Sequence, residues 1–165
     1  MPWKTLIVLA FPIIIISLFV LSYVARPHSQ RVTVVLADFA NHTGDPGLES
    51  SLNIALKQDL EAPDFPHIFS EAEVENALQL MGERAGEPIT EEVARKVCLR
   101  SGGKAIVMGA ISKLPSNYLI DIEALGCSTR DVVADAQASA SAKDDVPNAL
   151  KLAASQLRMK FLESR

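Results

Sequence analysis

Asp38, Asn41, His42, Thr43, Gly44 and Asp45 fall within eight residues. Together they offer carboxylates, an amide, an imidazole and a hydroxyl on a short polar stretch. Such a stretch follows an apolar segment and precedes a helical one. In open α/β sheets, ligands bind at the carboxyl ends of strands and at helix amino termini. One chemistry open to Asp38, Asn41, His42, Thr43 and Gly44 is therefore a pocket for a small ligand or anion. Against it, the stretch has one glycine rather than the three of a dinucleotide fingerprint. Asp45 also brings a carboxylate to the place where an anion's charge would sit. The other reading is turn and cap chemistry, with Asp45 as helix N-cap and Pro46 at the first helical position. Asn41-His42-Thr43 matches a glycosylation sequon, which matters only in a eukaryotic secreted protein.

Other reactive residues are scattered. His28, His42 and His67 show no metal-ligand spacing, either among themselves or with the cysteines. No phosphate loop, nucleophile elbow or Ser/His/Asp signature is present. Glu71, Glu73 and Glu75 precede and open a helical stretch, where the macrodipole favours carboxylates, so they read as a solvated face. The chain is expected to be no enzyme and to need no metal or cofactor.

These residues must be positioned by the elements around them. Residues 31–39 (RVTVVLADF) are β-branched and nearly continuously apolar, as in a strand covered on both faces. Residues 41–46 (NHTGDP) form a turn. Leu48, Leu52, Ala55, Leu56 and Leu60 then recur at helical spacing until Pro63. His67 to Phe69 gives a second short strand. Ser70 and Glu73 form a capping box for a helix that buries Val74, Ala77, Leu78 and Met81, with Gly82 as its stop. Thr90 caps a third helix carrying Val93, Ala94, Val97 and Cys98. Residues 105–111 are another apolar strand. Residues 118–124 and 132–140 alternate, as in an antiparallel meander with one wetter face. Asp144 or Asp145 opens a last helix along Val146, Leu150, Ala153, Leu157 and Phe161.

The order is β-α-β-α-α-β-β-β-α. Two right-handed crossovers and two hairpins favour a five-stranded mixed sheet in the order 2-1-3-4-5, with its first three strands parallel. The class is α/β, helices packed on one sheet. In this order Cys98, near the end of the third helix, and Cys127, just past the fourth strand, come to the same end of the sheet. Outside a reducing cytosol they can pair as a disulfide; the alternative is two unconnected small buried residues.

The chain has 165 residues, with 16 basic and 20 acidic side chains and a net charge of -4. That balance disfavours a nucleic-acid binder. Its 48% hydrophobic content excludes a disordered chain. Much of that content lies in residues 5–25, 21 residues without a charge between Lys4 and Arg26. As a helix this segment spans about 31 Å, close to the roughly 30 Å core of a bilayer. Trp3 and Tyr23 stand at its ends, where amphipathic aromatics prefer the interface. A cleaved signal peptide is the rival reading. Its apolar region would exceed the usual 7–15 residues, and Tyr23-Val24-Ala25 is a poor cleavage motif. Residues 1–25 are thus expected to be a single-pass anchor, 26–30 a linker and 31–165 one domain. Charge does not orient the anchor, because Lys4 and the amino terminus balance Arg26 and Arg31.

The stretches VTVVLADFANHTGDP, ARKVCLRSGGKAIVMGAIS, YLIDIEALGC and DVVADAQ resemble a bacterial membrane-anchored domain. Its pattern is similar to that of the TolB amino-terminal domain and the curli-secretion lipoprotein family. The resemblance runs from about Val32 to Phe161, and DFANHTGDP is its most specific element. In that setting the domain lies between a kinase or winged-helix domain with one membrane helix and tetratricopeptide repeats. The resemblance implies an extracytoplasmic, non-catalytic module for assembly or sensing at the cytoplasmic membrane. Its partners would be envelope proteins, tetratricopeptide-repeat proteins among them. This chain carries neither kinase, winged helix nor repeats, as expected of a fragment, a split gene or a stand-alone relative. The expected function is protein–protein interaction in the envelope; the alternative is ligand sensing through residues 38–45. Interaction predicts a bare sheet edge or apolar patch, and sensing predicts a cavity walled by Asn41 to Gly44.

Overall fold

A computed structural model describes residues 32–84, 86 and 88–164. The expected anchor over 1–25 and linker over 26–30 lie outside the described residues. Among the described residues, no helix is long and apolar enough to cross a membrane.

The elements run β1 (Thr33–Leu36), β2 (Ala40–His42), α1 (Leu48–Leu60), β3 (His67–Ile68), α2 (Glu71–Leu80), α3 (Glu91–Arg100), β4 (Ala105–Lys113), β5 (Tyr118–Gly126) and β6 (Val132–Ala140). A short 3₁₀ turn (Lys143–Asp145) then leads into α4 (Val146–Glu163). The sheet order is β3-β1-β4-β5-β6, with β2 also paired to β4. β1 runs parallel to β3 and β4, while β4, β5 and β6 form an antiparallel meander. The five strands expected from the sequence therefore lie in the expected order, and β2 is an addition.

β2 arises because the first apolar run does not stay one strand. Leu36 pairs with Val107, and the next pairing is Ala40 with Ala110. Three residues, 37–39, thus stand against two of β4, Met108 and Gly109. An extra residue of this kind bends a strand and re-aims its side chains. Here it seats Phe39 over Gly109: a Cβ on Gly109 would lie 2.2 Å from the Phe39 ring. Asn41 and His42, expected in a turn, are consequently strand residues beside Ile111 and Ser112.

Helices cover the sheet on both faces. On one face, Leu52, Leu56 and Leu60 of α1 and Ala149, Leu150, Ala153, Leu157 and Phe161 of α4 share a core with Val34, Val107, Ile111, Ile120 and Ile122. Small Ala134, Ala136 and Ala140 on β6 belong to the same core. On the other face, Val74, Ala77 and Leu78 of α2 and Ala94, Val97 and Cys98 of α3 meet Val35, Ala37, Ile106 and Cys127. That second core uses few residues of the meander. The same face of the meander carries partly exposed Met108, Ala110, Asp121 and Glu123. Half of one sheet face is therefore left without a helix among the described residues.

Local signals mark most helix starts correctly. Ser70 and Glu73 make a complete capping box, and the Thr90 hydroxyl accepts from the Val93 N–H. Gly82 follows α2 with φ 73°. The exception is α1. Its N-cap is Gly47, at φ 86°, with no side-chain cap. Asp45 and Pro46 lie outside the helix, so the expected Asp45 cap and Pro46 first turn are corrected. A tertiary partner explains the change, since the Asp45 carboxylate pairs with Lys143 just before α4.

Candidate functional site

The loop that follows β1 is tied into itself. The Asn41 side-chain amide donates to the Asp45 carbonyl and to Glu49 Oε2, each at 2.7 Å. Asn41 Oδ1 accepts from the Thr43 N–H at 3.0 Å and the Thr43 hydroxyl at 2.7 Å. Thr43 Oγ1 in turn accepts from the Asp45 N–H at 3.1 Å. The Asn41 amide holds the Glu49 carboxyl below its usual range. Gly44, at φ 77°, takes the left-handed conformation that the turn requires. These residues spend their polar groups on each other, which is what a turn needs rather than what a ligand site offers.

Asp38 points elsewhere. One carboxylate oxygen accepts from the Ile89 N–H at 2.7 Å and the other from Asn53 Nδ2 at 3.2 Å. The Asp38 N–H donates to the Ile89 carbonyl at 2.8 Å, and Asn53 Oδ1 accepts from the Phe39 N–H at 2.8 Å. Asp38 thus stitches the bulge to α1 and to the segment before α3. The structure brings Asn41, Thr43 and Asp45 together and sets Asp38 apart. His42 is exposed on β2.

A cavity of about 470 Å³ does lie beside Asp38, on the half of the sheet that no described helix covers. Its floor is Met108 and Ala110 with Asp121 and Glu123, and its wall is the segment from Pro88 to Glu91. Asn41, His42, Thr43 and Gly44 do not line it. None of the floor residues stands out in the sequence as a site. The available signal was Gly109, since an isolated glycine within a strand marks a bulge or close approach.

Cys98 and Cys127 are joined as a disulfide, with Cα atoms 6.1 Å apart and both residues buried. Arg95 Nε donates to the Cys127 carbonyl at 2.9 Å, so α3 grips the end of β5 twice. Gly103 leaves room for the bridge: a Cβ there would lie 2.7 Å from Cys98 Sγ.

The sheet's outer side is β6, nine residues with no strand beyond it among the described residues. Val132 is 57% exposed. Lys160 of α4 reaches Asp135 at 3.2 Å, with both side chains more than half exposed.

The sequence matches no family model, and no curated protein matches it. Solved structures match the fold. The LpoB C-terminal domain from Salmonella enterica superposes with a TM-score of 0.60 at 12% identity, covering 72% of this chain and 88% of that one. The LpoB C-terminal domain from Escherichia coli gives 0.61 at 12% identity, covering 68% of this chain and 84% of that one. A PelC dodecamer from Paraburkholderia phytofirmans gives 0.54 at 14% identity, covering 78% of this chain and 88% of that one. At such identities the likeness is one of fold, and no residue role travels with it.

Proposed function

We propose that this chain is a non-catalytic protein-interaction domain of the bacterial cell envelope. Residues 5–25 hold it to the cytoplasmic membrane, and the domain lies on the extracytoplasmic side. The observation that carries this reading is the outer edge of β6, which no described strand covers. An unpaired edge strand presents a row of N–H and C=O groups to which another chain can add. Proteins usually blunt such an edge with Lys, Pro or a covering element. β6 contains neither Lys nor Pro. Among the described residues its guard is the Lys160–Asp135 pair, and exposed pairs contribute at most about 1 kcal/mol. A partner can displace it at little cost.

Two further observations support the reading. The fold is shared with bacterial LpoB and with a PelC that forms a dodecamer. The Cys98–Cys127 bridge suits an oxidising compartment. Tetratricopeptide-repeat proteins, which the sequence resemblance brings in, are one partner class to seek. Sensing through Asn41 to Gly44 loses ground, because Asn41 and Thr43 bond each other and none of the four walls the cavity.

Site-specific photocrosslinking in the native host tests this. A photoreactive residue at Val132 or Gln137 should yield a discrete protein adduct, either with another protein or with a second copy. The same residue at Glu75, exposed on α2, should not. Adducts of equal yield from all three positions, or none from the edge, would reject the edge as the contact.

A further inference from the structure

We propose that the groove between β5 and the segment before α3 takes an extended peptide of a partner protein, one that sets an aliphatic side chain beside a lysine or arginine. This builds on the interaction reading in choosing a polypeptide, but it uses a surface distinct from the β6 edge.

The groove has the size of a binding site. About 470 Å³ falls within the roughly 300–1,000 Å³ typical of ligand pockets. Ile89, Met108 and Ala110 are partly exposed and give it an apolar body. Methionine is unbranched and adapts its shape to what it meets, which suits a surface that receives an aliphatic side chain.

Charge decides what accompanies that side chain. Among the described residues, those lining the groove include Asp38, Glu91, Asp121 and Glu123, and no Lys, Arg or His. The carboxylate of Asp38 is already engaged by Ile89 and Asn53. Glu91 sits in the first turn of α3. Asp121 and Glu123 differ, since neither carboxylate makes a hydrogen bond or ion pair with a described residue. They project from the same face of β5, two residues and so about 7 Å apart. Carboxylates without a protein partner leave their oxygens free to accept from an incoming cation. The amino end of α3 does not reverse this sign. Thr90 caps it, and Glu91 and Glu92 already answer its dipole.

The apolar and acidic sides of the groove run side by side as one strip. Met108 pairs with Glu123 and Ala110 with Asp121 across β4 and β5. Neighbouring strands are about 4.8 Å apart, so each carboxylate stands beside an aliphatic floor residue. An extended chain with alternating aliphatic and basic residues matches such a strip in both spacing and sign.

The test uses the full chain in detergent micelles, carrying carbon-13 at its methionine methyls. Met108 lies in the groove, whereas Met81 and Met159 lie elsewhere and serve as internal controls. The probe is the acetylated, amidated tetrapeptide Leu-Lys-Leu-Lys, with Leu-Glu-Leu-Glu and Ser-Lys-Ser-Lys as comparisons. Leu-Lys-Leu-Lys should move the Met108 methyl saturably and leave Met81 and Met159 in place. The double variant Asp121→Asn, Glu123→Gln should weaken that binding at least tenfold while the Met81 and Met159 signals keep their wild-type positions. The proposal is overturned if Met108 does not move, if either comparison peptide moves it equally, or if the double variant binds unchanged. It is also overturned if anionic phosphatidylglycerol vesicles alone move it, which would assign the groove to a lipid surface. Photocrosslinking from Val132 fails or succeeds independently of all these outcomes.

Discussion

Gly109 shows how one missing methyl shapes the region beside the groove. Phe39 occupies the space where a Cβ would be, 2.2 Å from its ring. Gly109→Ala should therefore force Phe39 out of its seat, at about 1–3 kcal/mol by analogy with other overpacked cores. Urea unfolding measures this, and adding Phe39→Leu should recover part of the loss. Glu73 gives a second residue-scale expectation. The Ser70 N–H, then the Ser70 hydroxyl and His67, lower its carboxyl from 4.5 to about 2. The folded value is the lower one, so the unfolded chain binds the extra proton. The stabilisation is present above about pH 4.5 and fades as pH falls towards 2. Glu73→Gln should narrow its stability gap to the wild type across that window, as read by urea midpoints at stepped pH. The gap should be modest, because the Glu73 side chain is 44% exposed and screened. Ser70 and Glu73 were legible in the sequence because a capping box is complete within four residues. Asp45 misled for the opposite reason: its partner Lys143 is 98 residues away.

At the scale of elements, chirality and short connections were enough to place the five main strands in order. They could not reveal β2. Residues 31–39 are nearly continuously apolar, and Asp38, the one acidic residue in the run, does not by itself mark where the pairing breaks. The break is fixed by pairing with β4, some 70 residues downstream. The same ordering did bring Cys98 and Cys127 to one end of the sheet, where the structure joins them. Their bridge closes a separation of 29 residues, worth roughly 3–4 kcal/mol in the chain-entropy account. Reduction should lower the urea midpoint accordingly. Mass spectrometry of non-reduced peptides from the native host should find the two cysteines in one linked pair. Free thiols in folded, exported protein would count against both the bridge and the extracytoplasmic placement.

At the scale of the whole molecule, the expected anchor sets the clearest test. The full chain should stay with membranes through carbonate extraction, whereas a chain beginning at Arg26 should be released. Uncleaved full-length protein that carbonate removes would defeat the anchor. The groove was out of reach of the sequence, because it depends on which half of a sheet face α2 and α3 leave open. Alternation in β5 did announce a wetter face, but not that Asp121 and Glu123 would flank a cavity. The disulfide has one more consequence, which concerns mechanical load. On the proposed reading, a domain held at one end and gripped by a partner at the other is stretched along its chain. Residues between Cys98 and Cys127 are shielded from that pull, since tension passes through the sulfurs instead. Fully drawn out, 29 residues would span about 100 Å. In an optical trap the oxidised domain should lengthen by roughly that much less than the reduced one, with β4 and β5 slack inside the closed loop.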